Sequence, residues 1–389
     1  MIIYDKLFKP RQLPEWWVRF TDSNRIIPAI IALTGLVWIS LSMAHIVIAS
    51  TKEGTGQVIE TFKTVSSSGY LVDKAISLRE AYHELFSPEI RSLFFNLYGN
   101  IALYLVVPFL LLLEFLFPCD PNQPLIGKGF LQDLIWYLIA APLILLILFP
   151  VLAFFRGIFE QWLGFISLHS ARSWPVYLQI IAAVLMAEFI IWSTHYIRHK
   201  VTALWYFHAI HHSQEELNIF TENRAHIIDL LVVSVLGFIP FFIFQVSDLY
   251  AVLVIGIYKP IHARFIHANV KMNLGWLGWI FTNPQFHRVH HSVQPEHRDK
   301  NFGAHLSIYD HLFGTAYRSR EVYPLTGIED MRFPTEKKLS LARLPANLIS
   351  QTVYPFLQLV EKIPYVRRIN GPGPAERWRD RRKNSKTVS

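Results

Sequence analysis

Histidine is the residue type on which chemistry in this chain must turn. The sequence holds 17 histidines, and 14 of them fall between His195 and His311. His195 and His199 are spaced i,i+4, which sets two imidazoles on one face of a helix, a turn apart. His208, His211 and His212 repeat that logic at i, i+3 and i+4, and His287, His290 and His291 repeat it again. His267 stands between the last two groups in Phe265-Ile266-His267-Ala268-Asn269. His262, five residues earlier, shares its face less cleanly, so His267 is the preferred member and His262 stays open. One i,i+4 pair in a membrane protein is more often a hydrogen-bonded or interfacial feature than a metal site, but two copies of one five-residue pattern beside a further pair point to metal. Nine imidazoles exceed the roughly four to six ligands of a single ion and suit two metals sharing a site. His45, His83 and His169 lie outside the cluster, and His226, His297, His305 and His311 are expected at the surface or in hydrogen bonds to the ligands.

The same residues exclude several chemistries. A single cysteine, Cys119, rules out an internal disulfide framework, a Cys-ligated zinc site and a protein-held iron–sulfur cluster. Neutral imidazole accepts Fe, Zn, Cu or Ni, so spacing alone does not name the ion. No His-Glu-x-x-His run supplies the glutamate base of a zinc protease. The formal charge of +8 and pI near 9.4 come without a basic stripe, zinc finger or Arg/aromatic interleaving, so nucleic acid is set aside.

The elements that carry these histidines read as membrane helices. Of 389 residues 52% are hydrophobic and only 17% charged, with mean hydropathy +0.28, which is not soluble-domain composition. Apolar runs at Ile26–Ala49, Asn100–Phe117, Leu134–Phe155 and Trp174–Trp192 predict four spans, since a bilayer core needs about 20 apolar residues. Pro108, Pro142 and Pro150 are expected as kinks or ends. No small-residue cleavage site follows the first run, so that span is expected to be retained. Leu230–Val246 and Leu249–Ile261, parted only by Ser247-Asp248, predict a tight helical hairpin. Lys6, Lys9, Arg11, Arg19 and Arg25, then Arg198 and Lys200, then Arg377 through Lys386, place both termini and the histidines on the cytoplasmic side. The fold expected is thus an all-α integral membrane protein of about four transmembrane helices plus a hairpin, under a cytoplasmic histidine-rich helical cap.

With these residues in view, the chain resembles the membrane-bound fatty acid hydroxylase/sterol desaturase superfamily. His195-x3-His199, His208-x2-His211-His212 and His287-x2-His290-His291 look like its three histidine boxes. His212-Ser213-Gln214-Glu215, Asn283-Pro284, Asn301-Phe302-Gly303 and Asp310-His311-Leu312-Phe313-Gly314-Thr315 look like its recurrent flanks, over about Leu134 to Tyr317. Where some members carry a close histidine pair before the last box, this chain has His262 and His267 at a looser spacing. The resemblance implies a di-iron oxygenase in which His195, His199, His208, His211, His212, His267, His287, His290 and His291 bind metal. Dioxygen and two electrons would hydroxylate or desaturate an unactivated C–H bond of a lipid: fatty acyl, sterol, sphingolipid or ether-lipid. No heme, flavin or dinucleotide motif is present, so the electrons are expected from an external carrier, cytochrome b5-like or ferredoxin-like, docking on the basic surface.

Around this centre, Glu188 lies seven residues before His195 on roughly its helix face and is expected to orient it, with Glu222 and Asp310 as further carboxylates that could hold histidines. Leu236, Phe238, Phe241, Phe242 and Phe244 of the hairpin are read mainly as packing, with at least one expected on a lipid channel that Pro240 opens. The chain divides into a cytoplasmic segment 1–25, two spans and a loop 26–129, a di-metal domain 130–320, and an extension with a basic tail 321–389. Two other classes compete: a non-catalytic metal- or lipid-binding membrane protein, and a zinc-dependent lipid hydrolase that needs neither dioxygen nor reductant.

Overall fold

The computed structural model describes residues 106–246, 254, 258–330, 333–336 and 340–361. These residues are helical, with three isolated bridges and no β-strand. The helices are α1 (Val107–Leu116), α2 (Phe130–Ile158), α3 (Val176–Lys200), α4 (Thr202–His212), α5 (Ile227–Ile243), α6 (Lys259–His267), α7 (Pro284–His290), α8 (Ile308–Phe313) and α9 (Leu344–Glu361). Three of them, α2, α3 and α5, pack side by side; α4 joins α3 to α9, and α6 lies on α7.

Among the described residues, α3 is the helix long and apolar enough to cross a membrane. It matches the fourth expected span but does not stop at Trp192; it runs unbroken to Lys200, so His195 and His199 lie in its last two turns. No Gly or Pro interrupts it, and the Ser193 and Thr194 hydroxyls bond back to the Phe189 and Ile191 carbonyls within the helix instead of competing with its ladder. The chain turns only at Val201, where the backbone becomes extended before α4. The third expected span falls within α2, which continues through Pro142 and Pro150. Of the second, only the portion in α1 is described, and the first, at 26–49, lies outside the described residues together with the expected N-terminal segment and basic tail. The first hairpin arm is α5, ending at Phe244; most of the second arm also lies outside the described residues.

Two cores position the histidine helices. Leu110, Leu113 and Phe117 of α1 and Phe130 and Tyr137 of α2 bury against Ile219, Phe220, Ile261, Phe265 and Ile266, which seats α6. Ala183 and Ala187 of α3 are fully buried against Phe241 and Val246, their small side chains letting α5 approach closely. A buried charge network then pins the loop after α4. Arg224 donates to Asp133 at 2.8 Å and to Glu336 at 2.7 and 2.9 Å, and its Nε reaches Ser213 Oγ at 2.9 Å. Gln214, Asn218 and Thr221 converge on the same Asp133 carboxylate, which accounts for the polar run Ser213-Gln214 directly after the second histidine group.

Candidate metal centre

The nine expected histidines come together in two groups, with donor atoms within each group lying no more than 4.8 Å apart. His195 and His199 from α3, His208 and His212 from α4 and His290 from α7 make the first; His211 from α4, His267 from α6, His287 from α7 and His291 at the C-cap of α7 make the second. Within α4, His208 and His212 face one group while His211 faces the other, and the neighbouring rings of His212 and His291 stack at 4.4 Å. The i, i+3, i+4 pattern thus divides each triplet between two adjoining sites.

The imidazoles point Nε2 inward. His195 Nε2 lies 2.9 Å from His208 Nε2, which is 3.2 Å from His212 Nε2. In the second group His287 Nε2 is 2.9 Å from His267 Nε2 and 3.1 Å from His291 Nε2, and His267 Nε2 is 3.2 Å from His211 Nε2. Outward, Nδ1 of His195 meets the Phe302 carbonyl at 2.7 Å, Nδ1 of His267 the Ala263 carbonyl at 2.7 Å, and Nδ1 of His290 the Lys300 carbonyl at 2.8 Å. His208 Nδ1 lies 3.0 Å from Asp229 Oδ2, which also accepts from Arg198 Nη1 at 2.8 Å. Carbonyls only accept, so the His195, His267 and His290 rings carry their proton on Nδ1 and turn a bare lone pair inward, while His208 Nδ1 lies beside both the Asp229 carboxylate and, at 3.1 Å, Arg198 Nη1. Lone pairs facing each other at such distances repel unless a cation lies between them. His199 Nε2 and His290 Nε2 are buried with no hydrogen-bond partner, as expected of donors arranged for a metal. The residues therefore fit a pair of metal ions.

Burial also keeps the site in the right protonation state. Desolvation holds His208, His211, His212, His287 and His291 well below the usual imidazole range, with neighbouring cationic and imidazole groups adding to it. It lowers His267 and His290 to about 4, against the opposing effect of their Nδ1 bonds to carbonyls. Neutral imidazole is the ligating form.

The expected supporting residues are placed differently from one another. Asp310 accepts from the Phe302 and Gly303 amides at 2.8 and 2.6 Å, from Trp192 Nε1 at 3.1 Å and from Thr315 Oγ1 at 2.6 Å. It thereby fixes the loop whose Phe302 carbonyl holds His195, and this links two of the flanking motifs to the centre. Glu188 does not face His195; it is buried against Lys259 and His305, at 3.0 Å from each. Glu222 pairs with Arg264 at 2.8 Å rather than with a histidine. His262 belongs to neither group: its Nε2 meets the Thr282 carbonyl at 3.0 Å. Asn283 caps α7, its Oδ1 accepting from the Phe286 amide, with Pro284 at the first helical position. The residue that sequence reasoning missed is Asp229. Its one signal was a lone carboxylate in the first turn of an otherwise apolar helix.

A cavity of about 370 Å³ adjoins the first group, walled by His199, His212 and His290, by Trp205 beside them, and by Arg298 and Tyr354. Of the hairpin phenylalanines, Phe241 packs on Ala183 and Ala187, while Phe242 and Phe244 stack near Phe159 and Trp174.

Residues 180–315, which hold all nine histidines and Asp310, match the family model described as fatty acid hydroxylase. This stretch, about a third of the chain, is similar to that family. An ornithine lipid hydroxylase, OlsE, of Rhizobium tropici is 37% identical over 142 residues, covering 36% of this chain and 43% of that protein. The alkylglycerol monooxygenase of Homo sapiens is 33% identical over 147 residues, 37% of this chain and 32% of that one, and its Xenopus tropicalis counterpart is 33% identical over 134 residues, 34% and 29%. The chain thus spans less than half the length of these relatives. No solved structure matches it. Within the matched stretch, the flanks of the histidine groups have specific tasks: Asn283-Pro284 starts α7, and Asn301-Phe302-Gly303 with Asp310 builds the carbonyl that orients His195.

Proposed function

We propose that this protein is a membrane-embedded di-iron oxygenase that inserts oxygen into a C–H bond of a lipid. The observation that carries the proposal is the convergence of nine imidazoles, all but the partly exposed His199 buried, into two adjoining groups of five and four. Two iron ions held there would supply the two-electron activation of dioxygen that an unactivated C–H bond requires. The protein's own part is to hold the rings. The Nδ1 protons of His195, His267 and His290 rest on backbone carbonyls, so that these three Nε2 atoms stay deprotonated, while Asp229 and Arg198 hold the outer edge of the His208 ring. Burial of the ligands keeps bulk water from the centre.

The relatives named hydroxylase and monooxygenase favour oxygen insertion over desaturation, and amino-lipid and ether-lipid substrates over free acyl chains. The cavity beside His199, His212 and His290 is the place for the substrate carbon, and its Arg298 and Tyr354 walls suit a polar head group beside it. Electrons come from a separate carrier protein. The exposed apolar side chains of α3, among them Leu178, Ile181, Leu185 and Phe189, face lipid. Purified protein is expected to hold about two irons per chain and to consume dioxygen with a reductant, and cells expressing it are expected to accumulate a lipid one oxygen heavier. Two bound zinc ions with lipid cleavage and no dioxygen uptake would instead establish the hydrolase reading.

A further inference from the structure

Helix α9 is built inside out. Its inner face holds Gln351, Tyr354 and Gln358, all buried. Gln351 accepts from Trp136 Nε1 at 3.0 Å and donates to the Pro334 carbonyl and to Glu336 at 2.9 and 2.8 Å. Its outer face is apolar: Ile349 is 64% exposed, Val353 41%, Phe356 44%, Leu357 56% and Val360 46%. These positions recur at i, i+4, i+7, i+8 and i+11, one continuous stripe roughly 16 Å long at 1.5 Å per residue. In water such a helix would turn the other way, with glutamines out and phenylalanine in.

Two further observations identify what covers the stripe. The helix packs on α4, and α4 on the apolar α3; Phe356 meets Phe207 of α4 edge to face at 5.5 Å, and Val201 and Leu204 at the α3–α4 corner are also exposed. The apolar surface therefore continues from the helix long enough to span a bilayer to α9. Next, the sequence directly after α9, residues 362–389, carries nine Lys and Arg against two acidic residues. An apolar helical stripe followed by a basic run suits the surface of an anionic membrane, where the stripe enters the acyl boundary and the cations meet phosphate.

We infer that α9 lies in the plane of an anionic lipid surface with Ile349, Val353, Phe356 and Val360 in the acyl region, so that Tyr354 on its inner face sets the wall of the metal-side cavity at head-group depth. The inference rests on the membrane reading above. It makes α9 the element that sets the depth at which a lipid presents itself to the cavity.

Spin labelling of the full chain tests it. Cys119 donates to Asn269 Oδ1, a bond serine can keep, so a Cys119→Ser background leaves the chain free of thiols. Single cysteines replacing Ile349, Val353, Phe356 or Val360 are labelled with a nitroxide in nanodiscs of phosphatidylcholine and phosphatidylglycerol. Ile181→Cys on α3 serves as the lipid-facing reference and Glu296→Cys, exposed and outside the cavity wall, as the water-facing one. At the α9 sites the ratio of oxygen to nickel-chelate accessibility should match Ile181 and exceed Glu296 several-fold, and it should fall in phosphatidylcholine alone. If α9 behaves as Glu296 while Ile181 still reads lipid, the inference fails and the membrane reading stands; if Ile181 also reads water, both fail. Spin–spin broadening would show a second copy on the stripe, and shielding from both relaxants would show another part of the chain there; either overturns the inference. A ratio indifferent to lipid charge removes the anionic preference.

Discussion

His195 and His208 turn Nε2 atoms toward each other across 2.9 Å because the outer nitrogen of each is committed to an oxygen, the Phe302 carbonyl for one and the Asp229 carboxylate for the other. The pairing places two acceptors where only a cation relieves their repulsion. Asp229 is the single side-chain oxygen in this arrangement, so Asp229→Ala should free the His208 ring and lower metal affinity or activity by about 10–100-fold. Elemental analysis of the purified variant beside an activity assay checks this; unchanged metal content would mean that Arg198 or packing alone orients the ring.

Division of the histidines into two groups predicts separable losses. His290→Ala should empty the five-histidine group and His211→Ala the four-histidine group, each reducing metal content from about two ions to about one while abolishing turnover. His262→Ala, which removes a member of neither group, should retain both ions, and His267→Ala should not. Equal metal loss in the last two variants would place His262 among the ligands.

Gly303 sits where no side chain fits. A Cβ there would lie 2.3 Å from the Leu306 carbonyl oxygen and 2.9 Å from Asp310 Oδ2. Gly303→Ala should push the loop away from Asp310, carry the Phe302 carbonyl with it, and destabilise the protein by about 1–3 kcal/mol. The expected signature is a lower unfolding midpoint together with a selective loss of metal from the first group.

Arg224 carries the stability of the loop after α4. Removing its guanidinium leaves Asp133 and Glu336 buried and uncompensated, and Arg224→Ala should cost about 3–5 kcal/mol. Equilibrium unfolding in mixed micelles measures it. A loss below about 1 kcal/mol would show that the two carboxylates find other partners.

The metal-free protein should be acid-labile. Burial lowers the His267 and His290 rings to about 4 in the folded chain, against about 6.5 for an ordinary imidazole. Between those values the unfolded chain binds more protons than the folded one, so stability is complete above about 6.5 and declines as pH falls toward 4. Thermal unfolding of the apo protein across this window should show a falling midpoint. A flat profile would mean that the rings are hydrated in the apo state.

Much of the centre was legible in the chain. Spacing at i, i+3 and i+4 necessarily lays imidazoles along one helical face, because the helix repeats every 3.6 residues, and so eight of the nine histidines could be named from spacing, with His267 added from its place just past the hairpin. The same geometry separates His211 from His208 and His212, but which ring joins which group depends on where α6 and α7 come to rest. Hydropathy marked α3 as a span to Trp192 and the i,i+4 spacing of His195 and His199 asked for helix beyond it; the structure makes the two one unbroken helix that runs to Lys200.

Partners separated by long stretches of chain were beyond the sequence. Glu188 shares a helix face with His195, two turns away, but the lower-energy arrangement for a buried carboxylate is a charge, and Lys259 and His305 supply it from α6 and the 305 loop. Asp229, 21 residues from His208, takes the orienting role instead because the packing of α5 on α3 brings its first turn against α4. The inverted face of α9 is of the same kind. Composition marks Ile349, Val353 and Phe356 as apolar, and only the bonds of Gln351 to Trp136 and Glu336 decide that they point outward, since a buried amide must be paired and an apolar side chain need not be covered by protein.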